Sequence, residues 1–172
     1  MPLLDIKIYG EEVLRKHSEP VTKVTSELVT LAKDMLETMY KAGGCGLAAP
    51  QIGENIRLVV IDTTRPDEEE PNPYIMFNPE WDVEPDSEEV QYEEGCLSIP
   101  EIWCNVKRPG KVVVRYTDEY GDPKEIHNCV GLFARCIQHE YDHLEGKLFV
   151  DFISSADRAL NQSKLRKMAK KA

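Results

Sequence analysis

The stretch that decides the fold reads Gln138-His139-Glu140-Tyr141-Asp142-His143-Leu144-Glu145-Gly146. Histidines four residues apart lie on one face of an α-helix, one turn from each other. Two neutral imidazoles so placed can bind one divalent metal ion, and Glu140 directly follows the first of them. This H-E-x-x-H spacing is typical of hydrolases in which a metal lowers the pKa of water and the glutamate carries its proton. A helix with two surface histidines and an ordinary Glu–His pair gives the same spacing.

The segment before this motif favours the metal-site interpretation. Apolar residues recur there at roughly helical spacing, and they are Val130, Leu132, Phe133, Cys136 and Ile137. The same face continues into the H-E-x-x-H residues, so the pattern predicts a helix whose histidines face inward or into a cleft. Gly146 is the predicted helix stop.

Composition indicates an ordinary globular protein. The chain has 172 residues, 31 acidic against 21 basic, and a net charge of −10. Its length predicts a single domain over 1–172. The acidic balance disfavours nucleic acid as a direct partner of the protein body. We expect no membrane segment and, because the first residues lack the pattern of a signal peptide, a cytoplasmic location.

The cysteines predict thiols or a metal ligand. There are 5 of them at irregular spacings, which disfavours a disulfide framework in a chain without export signals. A catalytic metal site needs three protein ligands, and two come from the helix. Cys96, between Gly95 and Leu97, is the best-placed third ligand, although a buried structural thiol would look the same. The remaining competitors are Cys45, Cys104, Cys129 and Cys136.

A glycine- and alanine-rich loop covers 44–53. Such composition lets a backbone approach another group closely, although a tight turn beneath a helix would explain it equally well. No Gly-Lys-Ser/Thr follows, so this is not a phosphate loop. The amide of Gln51 could donate to a developing oxyanion.

Periodicity and turn signals predict the remaining elements. The chain begins with a predicted extended arm over 5–24 and a helix over 26–42, which Thr25 or Ser26 can cap. Two buried strands are predicted over 57–62 and 74–77, and Asn78-Pro79 is predicted to end the second. The other predictions are a solvated acidic loop over 67–73, an edge strand over 89–92 and a β-meander over 102–129.

The last segment, 155–172, is predicted to be a basic helix. Leu160, Leu165 and Met168 give it a thin apolar stripe, and five lysines or arginines follow position 163. A solubilising helix end and a binding arm both fit this composition.

Three short blocks of the chain occur in the same order as the three motifs of a known family. Residues 44–51, 94–98 and 138–143 resemble the motifs G-x-G-L-A-A-x-Q, E-G-C-L-S and Q-H-E-x-D-H of peptide deformylases. The resemblance covers roughly residues 5–155. It implies an α+β fold, with antiparallel β-sheets packed around a central metal-bearing helix and with an N-terminal and a C-terminal helix. It also implies removal of the N-formyl group from new polypeptides that begin with formyl-methionine, releasing formate.

The resemblance also implies roles for single residues. The implied metal ligands are Cys96, His139 and His143. The implied catalytic groups are Glu140 as general acid and base, with the Gln51 side chain and the Leu97 backbone N–H as oxyanion donors. The implied substrate-binding residues are Gly46, Cys45 and Gly95, and Gly46 would pair its backbone with an extended peptide.

The family's usual metal is ferrous iron, and zinc, nickel or cobalt can occupy the site. Thiolate and imidazole suit both zinc and iron, so the residues alone do not name the ion. N-formylmethionyl nascent peptides are the expected partners. In the family a basic C-terminal helix can dock on the ribosome. With this resemblance, a binding arm and a solubilising helix end become equally good interpretations of 155–172.

Two positions depart from the family pattern. Cys45 stands where an aliphatic residue is expected, and it adds a thiol that could be sensitive to oxidation. Arg135 lies one helical turn before His139, and we expect its charged end to point away from a pocket for methionine.

Two other functions share parts of this pattern. A zinc metalloendopeptidase would share only H-E-x-x-H and would take its third ligand downstream, where 29 residues follow His143 and none is histidine. Asp151 or Asp157 would then have to serve. A non-catalytic metal-binding or ribosome-associated protein would need neither Glu140 nor Gln51.

Overall fold

A computed structural model describes residues 3–172. Its regular elements are α1 Ser26–Lys41, β1 Gly46–Ala48, β2 Leu58–Ile61, β3 Tyr74–Val83, β4 Glu89–Cys96, β5 Ile99–Pro109, β6 Lys111–Thr117, β7 Pro123–Val130, α2 Gly131–Leu144 and α3 Ser155–Lys171. Single 3-10 turns lie at Glu12–Arg15, Ala49–Ile52 and Phe149–Asp151.

The strands form two antiparallel sheets. The larger has the order β1-β2-β3-β6-β7, and the smaller is the β4–β5 hairpin. Helix α2 packs on the larger sheet and contacts β1, β2, β3, β6 and β7. This confirms the predicted α+β fold around a central helix.

Helix α2 has the predicted position and the predicted end. Gly146 adopts φ +71° just beyond the C-cap, a left-handed conformation that glycine reaches without strain. The buried face of the helix joins one apolar cluster with strands β2, β3 and β6, and its members include Ala134, Ile137, Leu144, Val59, Ile61, Met76 and Val114. Truncating Ile137 to alanine there would cost about 2–5 kcal/mol. This packing fixes the face that carries the two histidines.

Two residues of the predicted apolar face lie elsewhere. Val130 ends β7 and precedes the helix, and Leu132 in the first turn is half-exposed. The fully buried positions of α2 begin at Ala134.

Helix α1 also forms as predicted. The Thr25 side chain accepts a hydrogen bond from the Leu28 amide at 3.2 Å, which caps the first turn. Met35 and Met39 are fully buried in a second apolar cluster with Leu58, Val60 and Phe77.

The N-terminal arm wraps over the motif-bearing segments. Backbone hydrogen bonds join Lys7 N–H to the Gln51 carbonyl at 2.7 Å and Tyr9 N–H to the Ser98 carbonyl at 2.8 Å. Ser18 N–H donates to the Leu144 carbonyl at 2.8 Å. The arm therefore joins all three segments that carry the site.

The prediction that β3 ends at Asn78-Pro79 was wrong, because the strand continues to Val83. Its register with β6 shifts between Phe77 and Glu80, so the missing N–H of Pro79 falls at a bulge. Asn78 adopts φ +51°, and its side chain accepts from Val21 N–H and donates to the Val21 carbonyl at 2.8 and 2.7 Å. These bonds to the arm stabilise the interruption.

The predicted meander over 102–129 is only half present. Strands β6 and β7 pair as expected, whereas β5 pairs with β4 in the separate hairpin. Strand β4 is also longer than the predicted 89–92 segment and runs to Cys96. Pairing between distant strands is a tertiary choice that alternation within one strand does not specify.

Helix α3 is present with a narrower apolar stripe than expected. Leu165 is buried and Met168 partly buried against a third cluster that includes β5, whereas Leu160 is 79% exposed.

The acidic residues at 67–70 are exposed, as predicted, and Arg65 forms ion pairs with Glu68 and Glu69. Every helix within residues 3–172 falls short of the length and apolarity that crossing a bilayer requires.

Candidate active site

The structure brings Cys96, His139 and His143 into one cluster. One potential ligand atom from each lies within 4.8 Å of the others, and Cys96 Sγ is 3.4 Å from His143 Nε2. The cysteine comes from the end of β4 and the histidines from α2. Of the five candidate cysteines, this places Cys96 beside the two histidines.

The cluster fits a divalent metal ion. Metal–nitrogen bonds of about 2.1 Å and a metal–sulfur bond of about 2.3 Å would place tetrahedral ligand atoms roughly 3.5 Å apart. The sulfur–nitrogen distance of 3.4 Å agrees with that spacing. His143 Nδ1 is buried and lacks a hydrogen-bond partner among residues 3–172. A thiolate with two imidazoles suits zinc or iron.

Glu94 orients the first histidine. Its Oε1 lies 2.9 Å from His139 Nδ1, so a proton on Nδ1 leaves Nε2 free to bind a metal. Arg108 binds both carboxylate oxygens of Glu94 at 2.5 and 3.0 Å, and Arg135 Nη1 donates to Oε2 at 2.5 Å. Burial opposes ionisation, but the hydrogen bonds from His139 and Arg108 outweigh it and lower the pKa of Glu94 to about 2.

Sequence reasoning missed this buried network. The sequence of β5 nevertheless contains a signal for a buried arginine. Its inward-facing residues alternate as Ile102, Cys104 and Val106, and the next position on the same face is Arg108. A buried arginine needs an anionic partner. The charged end of Arg135 points at Glu94 and at the Val90 and Val106 carbonyls.

The environment of the Glu140 carboxylate is the opposite of that of Glu94. It is 3% exposed, and its Oε1 has no hydrogen-bond partner in the described part of the chain. Burial raises the pKa of Glu140 to about 7. Gly46 makes room for this side chain, because a Cβ at Gly46 would lie 2.6 Å from Glu140 Oε2. The glycine-rich loop therefore permits a close approach of backbone to carboxylate.

Gln51 lies beside the cluster, 1% exposed. Its Oε1 accepts from Ala48 N–H at 2.9 Å, which leaves the amide nitrogen facing the site. Nε2 lies 3.1 Å from Ser98 Oγ and 3.5 Å from Cys96 Sγ. The side chain is thus fixed with a donor directed at the cluster.

Two further predicted residues lie around the hairpin end. Leu97 occupies the turn that joins Cys96 to Ile99. Gly95 precedes the cysteine, and a Cβ there would lie 2.5 Å from the Trp103 ring. Glycine at this position therefore allows the indole of Trp103 to pack directly on the backbone of β4.

A cavity of about 870 Å³ opens onto these groups. Its lining includes the predicted site residues Cys45, Gly46, Gln51, Gly95, Cys96, Leu97, His139 and Glu140. A cavity of this size suits a small peptide segment. A cluster that could hold a metal ion, a buried carboxylate and an amide donor are the groups that a metal-dependent hydrolase requires.

Comparison with known proteins identifies the family. The sequence profile described as polypeptide deformylase matches residues 3–159. Peptide deformylase of Rhodopseudomonas palustris strain TIE-1 is 49% identical over 172 residues, covering 99% of this chain and 97% of that protein. Peptide deformylase of Bradyrhizobium diazoefficiens is 49% identical over 176 residues, covering 100% and 99%.

Similar solved structures belong to the same family. Peptide deformylase from Thermus thermophilus superposes with a TM-score of 0.90 at 37% identity, covering 99% of this chain and 100% of that one. The Ehrlichia chaffeensis enzyme in complex with actinonin gives 0.87 at 35% identity, covering 99% and 98%. The chain belongs to the polypeptide deformylase family, whose members are metal-dependent enzymes that remove N-formyl groups from nascent peptides.

Proposed function

We propose that this chain hydrolyses the formyl group from the N-terminal formyl-methionine of new polypeptides, and that the residues around its Cys-His-His cluster perform the reaction. The observation that carries the proposal is the position of Glu140. A buried carboxylate, one oxygen of which has no partner among residues 3–172, lies next to three side chains that could bind a metal. A purely structural metal site has no use for such a group.

Cys96, His139 and His143 would hold the metal, and we propose Fe²⁺ as the ion, with Zn²⁺, Ni²⁺ or Co²⁺ as substitutes. Once bound, a divalent ion supplies Lewis-acid activation of water and of the formyl oxygen. Glu94 supports this site by holding the His139 ring in one tautomer through its 2.9 Å contact with Nδ1.

Glu140 would move the proton. In the metal-free protein burial raises the pKa of Glu140 to about 7, so its surroundings favour uptake of a proton, which a general base needs. In this role Glu140 takes a proton from the attacking water and later gives it to the departing amine. The products are formate and a free N-terminus.

Gln51 and Leu97 would stabilise the developing oxyanion. The acceptor oxygen of Gln51 is held by Ala48 N–H, so its amide can donate toward the cluster without reorganising. The backbone N–H of Leu97 would be the second donor. Each such donor is typically worth about 3 kcal/mol of barrier.

The substrate would bind along Gly46, Cys45 and Gly95. Strand β1, which begins at Gly46, lies at the edge of the five-stranded sheet with β2 as its partner. An extended peptide can therefore add to the open edge by backbone hydrogen bonds. The sheet edge and the 870 Å³ cavity meet at Gly46, so a peptide paired there would enter the cavity.

The exposed basic side of α3 supports a second, separate role, contact with the ribosome. The basic residues that follow position 163 are all exposed, and they are Lys164, Arg166, Lys167, Lys170 and Lys171. Such a contact would weaken with salt, because phosphate binding by lysine and arginine releases counterions. It would also place the enzyme in the cytoplasm, next to its substrates.

The test of the proposed reaction is formate release from a formyl-methionyl dipeptide. The protein would be purified without oxygen, its bound metal quantified, and the same dipeptide supplied in formylated and acetylated forms. We expect formate release that rises with metal content and stops with a chelator. Full metal occupancy without formate release, or cleavage of internal peptide bonds, would contradict the proposal.

A further inference from the structure

Two thiols outside the metal cluster lie in contact in the cavity wall. Cys45 Sγ and Cys136 Sγ are 2.8 Å apart, closer than the van der Waals contact of two sulfur atoms. Cys45 directly precedes β1, and Cys136 lies in the second turn of α2. The two positions are 91 residues apart in sequence, so the fold alone creates this pair.

The pair can be reached from the cavity. Both side chains line it, with Cys45 half-buried and Cys136 only 4% exposed. Cys104 is buried in the third apolar cluster, and Cys129 is buried on β7 within the same cluster as Cys136. Cys96 also lines the cavity, but in the metal-loaded protein it would be a metal ligand. Cys45 is the more exposed thiol of the pair, so a small oxidant would meet it before Cys136, the thiol in contact with it.

We propose that Cys45 and Cys136 are a redox-active pair that a peroxide converts into an intramolecular disulfide. Hydrogen peroxide oxidises the Cys45 thiol to a sulfenic acid and releases one water. The Cys136 sulfur then attacks the sulfenic sulfur, the S–S bond forms, the S–O bond breaks, and a second water leaves. The two thiols lose two electrons and two protons in total, and the peroxide is reduced to two waters. A dithiol reductant restores both thiols.

The geometry requires only a small movement. A disulfide bond is about 2.05 Å long, so the two sulfurs need to approach by less than about 1 Å. The bridge would join the loop before β1 to α2 and close a long loop of chain. Closing such a loop restricts the unfolded chain, so the oxidised protein should be more resistant to heat.

The test uses the zinc-loaded protein, because zinc has no redox chemistry and the metal itself then takes no part in the oxidation. After limited hydrogen peroxide and quenching, free thiols are counted in denaturant and peptides are mapped by mass spectrometry. We expect free thiols to fall from five to three, with a cross-linked peptide containing Cys45 and Cys136. Dithiothreitol should reverse both changes, and the oxidised protein should unfold several degrees higher.

Three variants sharpen the test. Cys45→Ala and Cys136→Ala should each abolish the cross-link, whereas Cys129→Ala, which removes a buried thiol outside the pair, should keep it. In Cys136→Ala, Cys45 should stop at the sulfenic acid, which dimedone traps. The proposal fails if five thiols survive in the native sequence, if Cys45 goes directly to sulfinic acid, or if the bridge includes Cys96. These readouts do not depend on deformylase activity.

Discussion

Glu94 and Glu140 are both buried within one site, and their environments differ completely. Glu94 is bound by Arg108, Arg135 and His139, and the pKa of its carboxyl falls to about 2. Glu140 has no arginine bound to it and one unpartnered oxygen among residues 3–172, and burial raises the pKa of its carboxyl to about 7. The difference is in hydrogen bonding, since both side chains are nearly inaccessible to solvent.

This contrast distinguishes Glu94, a carboxylate that positions other groups, from Glu140, a carboxylate that can take part in the reaction. A carboxylate that is fully satisfied stays ionised and holds its neighbours in place, whereas one left unsatisfied can exchange a proton near neutral pH. Two carboxylates whose environments push their pKa values apart are a frequent arrangement in acid–base enzymes. The predictions below separate the two roles experimentally.

The largest expected effect comes from Glu140→Gln. The amide fits the same space but cannot carry the proton, so turnover should fall by about 10²–10⁴-fold. Metal content should match that of the unaltered protein. Formate release and metal analysis measure both quantities. Glu89→Gln, an exposed change of the same kind on β4, should leave both unaltered.

A somewhat smaller loss is expected for Gln51→Glu. One carboxylate oxygen can still accept from Ala48 N–H, while the donor near the cluster is replaced by a negative charge. The rate should fall by about 10²–10³-fold with the fold intact. Circular dichroism and steady-state kinetics check this, with the exposed Gln91→Glu as the matched charge control. An unchanged rate in Gln51→Glu would remove this residue from oxyanion binding.

Glu94→Gln should affect metal binding more than chemistry. It weakens the hold on His139, leaves Arg108 with Asp142 as its remaining ionised partner, and removes the one ion pair that Arg135 forms among residues 3–172. We expect metal affinity to fall by about 10–100-fold. Turnover per bound metal should stay close to that of the unaltered protein. Competition with a chelating dye measures the affinity, and an unchanged value would contradict the positioning role.

The smallest effect is on the pH dependence of stability in the metal-free protein. The pKa of Glu94 is lower when folded, so its stabilisation is present above the unfolded pKa of about 4.5 and is lost as pH falls toward 2. The pKa of Glu140 is higher when folded, so its ionisation costs stability increasingly from about pH 4.5 to above pH 7. Urea unfolding should therefore show Glu140→Gln gaining stability over the parent between pH 5 and 8. The stability deficit of Glu94→Gln relative to the parent should shrink as the pH falls from about 4.5 toward 2. Parallel pH curves for all three proteins would contradict the account.

Sequence patterns predicted the parts of this site that depend on local spacing. The two histidines share a helix face because they are four residues apart, and α1 is visible in its apolar stripe and its Thr25 cap. The glycine-rich loop was ambiguous from sequence, and the structure explains Gly46 by the approach of Glu140.

The buried network was not predictable in the same way. Arg108 meets Glu94 because β5 pairs with β4 rather than with β6, and that choice depends on the packing of the whole chain. The contact between Cys45 and Cys136 likewise joins two segments whose separation leaves no local signal.

The most direct test of the central claim measures turnover and metal content together. The unaltered protein, Glu140→Gln and Glu94→Gln would be loaded with the same metal, and formate release would be expressed per bound ion. The account predicts full metal with almost no turnover for Glu140→Gln, and reduced metal with near-normal turnover per ion for Glu94→Gln. Loss of metal in Glu140→Gln together with loss of turnover per ion in Glu94→Gln would show that the two roles are assigned the wrong way round.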